Sequence, residues 1–142
     1  MIGWAPPLQS EGVAVVRLGA FCELESETRW QANFRVSEYA ILDDGSEVVL
    51  HSERGFSAAV PAGESADIWQ HMTAAGIRRD VMAVLLPDDA EETGQEHLWD
   101  WLVGLLARVS EPIGVEQLRA VPFEVRLGPA VTSRLENDCR AP

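Results

Sequence analysis

The chain has 142 residues, 23 acidic against 11 basic, a formal net charge of -12 and 46% hydrophobic residues. That length and apolar share suit one folded domain over residues 1–142 and argue against wholesale disorder. The negative sign disfavours direct nucleic-acid binding, and because every basic residue is Arg, Schiff-base, P-loop and general-base lysines are excluded.

Taken in chain order, the residues up to about 10, with Pro6 and Pro7, read as a loose terminus, and Val13 to Leu18, between Gly12 and Gly19, reads as a buried strand. From Phe21 the pattern alternates. Cys22, Leu24, Trp30, Ala32, Phe34 and Val36 share one parity and charged or polar residues the other, with a turn expected over Ser26–Thr28 and a parity slip or bulge near Ser37 that brings Tyr39 and Ile41 into the apolar set. Asp43-Asp44-Gly45 before Glu47–His51 predicts a β-hairpin with a type I′ turn. Ser52–Glu64, with Gly55, Pro61 and Gly63, reads as irregular. Ser65 is placed to cap a helix carrying Ile68, Trp69, Met72 and Ala75 that stops at Gly76. The apolar run Val81–Leu86 reads as a central strand ended by Pro87.

Thr93-Gly94-Gln95-Glu96 has the form of a capping box, and Leu98, Trp101, Leu102, Leu105, Leu106 and Val109 form one stripe of a long helix stopping before Pro112. One helical turn at Val115–Ala120, a strand at Phe123–Leu127, a short closing helix at Ala130–Leu135 and a loose tail over about 137–142 complete the reading. The fold class expected is α+β: an antiparallel sheet, with its hairpin about Asp43-Asp44-Gly45, packed against two main helices.

Chemistry-bearing motifs are sparse. His51, His71 and His97 form neither HExxH nor HxH, so no metal site is assigned. No glycine pattern of a nucleotide site exists, so no cofactor is expected. Ser57 lacks a GxSxG setting and Cys22 sits among acids that disfavour its thiolate, so no catalytic residue is assigned. Cys22 and Cys139 are expected to be free thiols. No signal peptide is read at the N-terminus, and no apolar run approaches the roughly 20 residues of a membrane span, so a cytoplasmic protein without membrane association is expected.

Charge placement is the one strong asymmetry. Residues 88–100 carry -6 of the -12: Asp88, Asp89, Glu91, Glu92, Glu96 and Asp100, with no basic residue among them. Trp99 broadens the apolar stripe, and of the five tryptophans Trp30 and Trp101 are expected to be more buried than Trp4, Trp69 or Trp99. Two readings of the cluster follow: a solvated helix start, where the helix dipole favours anions, or a docking surface. The function expected is a non-enzymatic acidic interaction protein that binds a basic protein partner through Asp88, Asp89, Glu91, Glu92, Glu96, Trp99 and Asp100, of the immunity or inhibitor type. The alternative is a small enzyme or ligand-binding domain with a cleft between sheet and helices using His51, His71, Glu38 and Tyr39. Self-association into a homodimer through a sheet edge or Trp99 is a third arrangement.

Overall fold

The structure is a computed structural model that describes residues 13–63, 65–87 and 89–140, with side chains through Glu136. Four strands form one mixed sheet in the order β3-β2-β1-β4: β1 Val15–Thr28, β2 Gln31–Leu42, β3 Glu47–Ala59 and β4 Phe123–Leu127. Neighbours β1 and β2, and β2 and β3, run antiparallel, whereas β4 lies parallel to β1, Leu18 opposite Phe123 through Cys22 opposite Leu127. The α+β class therefore stands, but the sheet is not purely antiparallel. A parallel partner needs a long crossover, and here everything from Val60 to Pro122 supplies it.

The first three strands are longer than the alternation suggests. The turn between β1 and β2 is at Arg29–Trp30 rather than Ser26–Thr28, and β3 continues through Ser52–Ala59, where an irregular stretch was expected. Gly55 belongs inside that strand because a Cβ there would stand 2.6 Å from the Phe34 carbonyl oxygen. The turn after Leu42 is closed by Gly45 N–H donating to Leu42 O (2.9 Å) and Leu42 N–H donating to Ser46 O (2.9 Å). Gly45 has φ 88°, and Asp43 and Asp44 have negative φ, so this is a three-residue connection with one left-handed glycine, not a type I′ turn.

A 3₁₀ turn at Ile68–His71 and helices α1 Ala74–Val84, α2 Ala90–Thr93, α3 Trp99–Leu106, α4 Val115–Ala120 and α5 Pro129–Arg140 follow or flank the sheet. Three sequence expectations fail here. The helix expected from Ser65 to Gly76 is a 3₁₀ turn capped by Asp67, whose side chain accepts from Trp69 and Gln70, and Gly76 lies in the first turn of α1 instead of ending a helix. Val81–Leu86 is not a strand: Ile77, Val81 and Leu85 recur at i, i+4 and i+8, all buried, and Thr73 caps the helix by accepting from Gly76 N–H at 3.0 Å. A short apolar run does not distinguish strand from buried helix, and here the spacing decides. Nor does one long helix start at Thr93. Gly94, at φ 71°, ends α2 in a left-handed cap, and α3 begins only at Trp99. Among the described residues five helices thus stand where two main ones and two short ones were expected, with α4 at Val115–Ala120 and α5 over Ala130–Leu135 falling where the sequence placed the short ones. The first two turns of α5 bring buried Val131 and half-buried Leu135 onto the sheet, and its backbone helix runs through Arg140. Of the tail expected to be loose over about 137–142, residues 137–140 instead continue this helix, while residues 141–142 and the stretch at about 1–10 lie outside the described residues.

All helices that bury apolar side chains do so on one sheet face, in two clusters. Ala20, Cys22, Ala32, Phe34 and Val36 pack with Ile68, Trp69, Ile77, Val81, Leu85 and Val131. Val15, Leu18, Ala40 and Leu42 pack with Leu102, Leu106 and Leu118. Along β2 the core row is Ala32, Phe34, Val36, Glu38, Ala40, Leu42, so its parity never slips. Glu38 is the one acid in that row and falls between the two clusters. Tyr39 is buried on the opposite face, over Gly19 and hydrogen-bonded to Glu124.

Candidate functional site

The register irregularity sits opposite Glu38, on β3. Between Val36 and Tyr39 β2 advances three residues, while β3 runs from Arg54 to Val49, five residues. Extra residues in one strand of a pair re-aim side chains. Their effect is to turn His51, an odd-numbered residue, onto the same face as Val48 and Phe56, directly opposite Glu38.

Glu38 there receives two imidazoles. His51 Nε2 lies 2.7 Å from Oε1 and His97 Nε2 lies 2.7 Å from Oε2. All three residues are buried, at 1%, 8% and 4% exposure. A carboxylate only accepts, so each imidazole donates through Nε2–H. Burial pushes the Glu38 carboxyl up, but the bonds from His51 and His97 and their charge outweigh it and hold the group below its ordinary value. Aromatic rings enclose the cluster: Trp101 packs on His51 with centroids 4.5 Å apart, and Trp99 on His97 at 4.8 Å, with Phe123 edge-on to His97 at 5.9 Å.

Of the four residues weighed for a cleft, Glu38, His51, His71 and Tyr39, the structure brings two into contact, and both are buried. Glu38 and His51 come together. His71 does not join them: it is exposed on the 3₁₀ turn and lines a separate cavity with Arg79 and Asp80. Tyr39 faces the other side of the sheet. The partner that sequence reading missed is His97, which the loop between α2 and α3 delivers from 59 residues away in the chain. Its only local signal is an imidazole amid Leu98, Trp99 and Trp101.

His97 also lines a cavity of about 490 Å³, with Glu96, Trp99, Asp100, Trp101 and Arg119 among its walls. Of the sequence-predicted partner-binding residues, Asp89, Glu91, Glu92, Glu96 and Asp100 are exposed, and Asp88 lies outside the described residues. The acids are not without basic neighbours in space: Arg119 of α4 donates to Glu96 at 2.8 Å, and Arg54 of β3 shares a cavity of about 430 Å³ with Asp89, Glu91 and Glu92. Trp99 is half-buried, and its indole Nε1 is a buried donor with no partner among the described residues. Trp69, expected among the more exposed tryptophans, is instead the buried one at 2%, donating through Nε1 to Glu27 at 3.0 Å, while Trp30 and Trp101 are half-buried. Trp4 lies outside the described residues.

Among the described residues, no group of three or more His, Cys, Asp or Glu side chains is arranged to hold a metal ion. Glu38, His51 and His97 point at one another's polar atoms rather than at a shared empty point. Among the same residues no helix is long and apolar enough to cross a membrane. No protein family matches the chain, and comparison with curated proteins and with solved structures returned no match. Function must therefore be argued from the residues.

Proposed function

We propose that the chain is a non-enzymatic binding protein that engages a basic protein partner through the face formed by α2, the loop after it and the start of α3. The supporting observation is that Asp89, Glu91, Glu92, Glu96 and Asp100 are all exposed around two concave surfaces, with the half-buried Trp99 in the wall of one. Clustered charge of one sign speeds encounter with an opposite partner and selects against like-charged ones. A half-buried indole beside it supplies apolar area of the kind that dominates binding energy. An immunity or inhibitor protein for a cationic target is the concrete form. Asp88 belongs to the same proposal by sequence alone.

The test is capture from host lysate by the tagged protein at low and moderate salt, beside the variant Asp89→Asn/Glu91→Gln/Glu92→Gln/Asp100→Asn. A basic protein held by the wild type, cross-linked through these carboxylates and lost by the variant is the expected result. Equal retention by the variant would reject the docking face.

A second reading, a ligand-binding or catalytic cleft, is favoured by one observation: His97, held by Glu38, stands in the wall of the 490 Å³ cavity. A small molecule co-purifying with wild type but not with His97→Gln, and no captured protein, would select it over the first.

A further inference from the structure

Glu38, His51 and His97 come from β2, from β3 and from the loop before α3, so three separately placed segments meet on one carboxylate. The cluster occupies the seam where neither apolar core reaches. Its proton inventory follows from the contacts. His51 Nδ1 accepts from the Glu53 backbone N–H at 3.5 Å. Nδ1 of His97 has no hydrogen-bond partner among the described residues, and His97 lines the cavity. An added proton therefore goes to His97 Nδ1.

The charged and titratable groups facing the cluster are few. His51 and His97 act on the Glu38 carboxyl through both bond and charge, and β3 also carries the half-buried Arg54 near the cluster, paired with Val36. Glu96, Asp100 and Arg119 line the same cavity as His97, and Arg119 is bonded to Glu96. The elements packed against the rings otherwise present Trp99, Trp101 and Phe123.

We infer that Glu38, His51 and His97 form a proton-operated latch that fixes the cavity wall from His97 to Trp101 against the sheet. With both imidazoles neutral the seam holds one uncompensated negative charge. One solvent proton taken up at His97 makes the cluster neutral and its bond to Glu38 charge-assisted, the tight state. A second proton, on His51, displaces the Glu53 contact and leaves a buried positive charge, which loosens it again. Latching is thus strongest at an intermediate pH, between uptake of the first proton and uptake of the second. Because Trp99 and Trp101 stack on the two imidazoles, they report the state of the latch directly. The latch needs no partner, so it stands or falls separately from the docking face.

The experiment is a pH titration by NMR of the histidine ring signals and the indole N–H signals of Trp99 and Trp101, in wild type and in His97→Gln, whose amide keeps an N–H donor for Glu38 but takes up no proton. In wild type the indole signals should shift with the midpoint of His97, and in His97→Gln that shift should vanish. Indole signals that stay still in wild type while His97 titrates would overturn the latch without recourse to any variant, as would an unchanged indole titration in folded His97→Gln.

Discussion

Replacing Glu38 by Met removes the shared acceptor while keeping the side chain's length. Two imidazole N–H groups, both within residues less than a tenth exposed, lose their partner at once. A buried donor left unpaired costs about 1–3 kcal/mol, and removing one member of a buried polar pair typically costs about 3–5 kcal/mol. The expected loss for Glu38→Met is therefore about 3–5 kcal/mol. Urea denaturation at neutral pH, followed by tryptophan fluorescence, reads it: with a slope of roughly 2 kcal/mol per molar, the midpoint should fall by about 1.5–2.5 M. The triple variant Glu38→Met/His51→Leu/His97→Met removes the donors as well, and should recover most of the loss, since apolar replacement of a whole buried polar cluster is often neutral. A single variant costing under about 1 kcal/mol, or a triple variant no more stable than the single one, would refute the account of the seam.

Further outcomes follow from the same contacts. Because the Glu38 carboxyl is held below its unfolded value of 4.5, its contribution is present above that value and lost as pH falls through the lower folded one; acid unfolding of Glu38→Gln should be correspondingly less steep below pH 4.5, measured by circular dichroism. Trp69→Phe forfeits the bond to Glu27 whereas Trp99→Phe removes an indole N–H that has no partner among the described residues, so Trp69→Phe should be less stable than Trp99→Phe by about 1 kcal/mol or more in paired urea melts. Gly55→Ala pushes a methyl to 2.6 Å from the Phe34 carbonyl oxygen, backbone that cannot swing away, and should cost about 1–3 kcal/mol by thermal melting. The Cys22 thiol, raised to about 12 first by burial and then by Glu23, should resist alkylation at pH 8 in the native protein and react on unfolding, with peptide mapping to score it apart from Cys139.

Local patterns reached the strands of the meander and the strand at Phe123–Leu127, because alternation and turn residues are written within a few positions of each other. What they missed has a common cause, which is that the deciding partner is distant. Whether Val81–Leu86 is strand or helix depends on Ile77 lying one turn before Val81 on the buried face, a spacing outside the run itself. The pairing of β4 with β1 joins residues more than 100 apart, and no local feature of Phe123–Leu127 selects a parallel neighbour. At the candidate site, the slip read near Ser37 moved Tyr39 into the apolar row and Glu38 out of it, so Glu38 was named only with the cleft alternative; the bulge on β3 that turns His51 inward has no residue signature of its own. His97 was assigned to a helix start because Thr93-Gly94-Gln95-Glu96 resembles a capping box, but Gly94 takes the left-handed conformation and frees the next four residues to form the loop that carries the imidazole inward. The exposure of the 88–100 acids was legible where described; Arg119 beside Glu96 was not.

The late arrival of β4 bears on how the chain is made. The three-stranded meander closes on itself once residues up to Ala59 are available, through contacts local enough to form quickly. One side of β1 must then wait for Phe123–Leu127, about 100 residues after Thr28 leaves the ribosome. At about 5–20 residues per second that is roughly 5–20 s during which Leu18–Cys22 offer unpaired backbone groups to any passing strand. Nascent chains stalled before residue 122 should therefore be the aggregation-prone species, and slowing translation past Leu127 should be harmless.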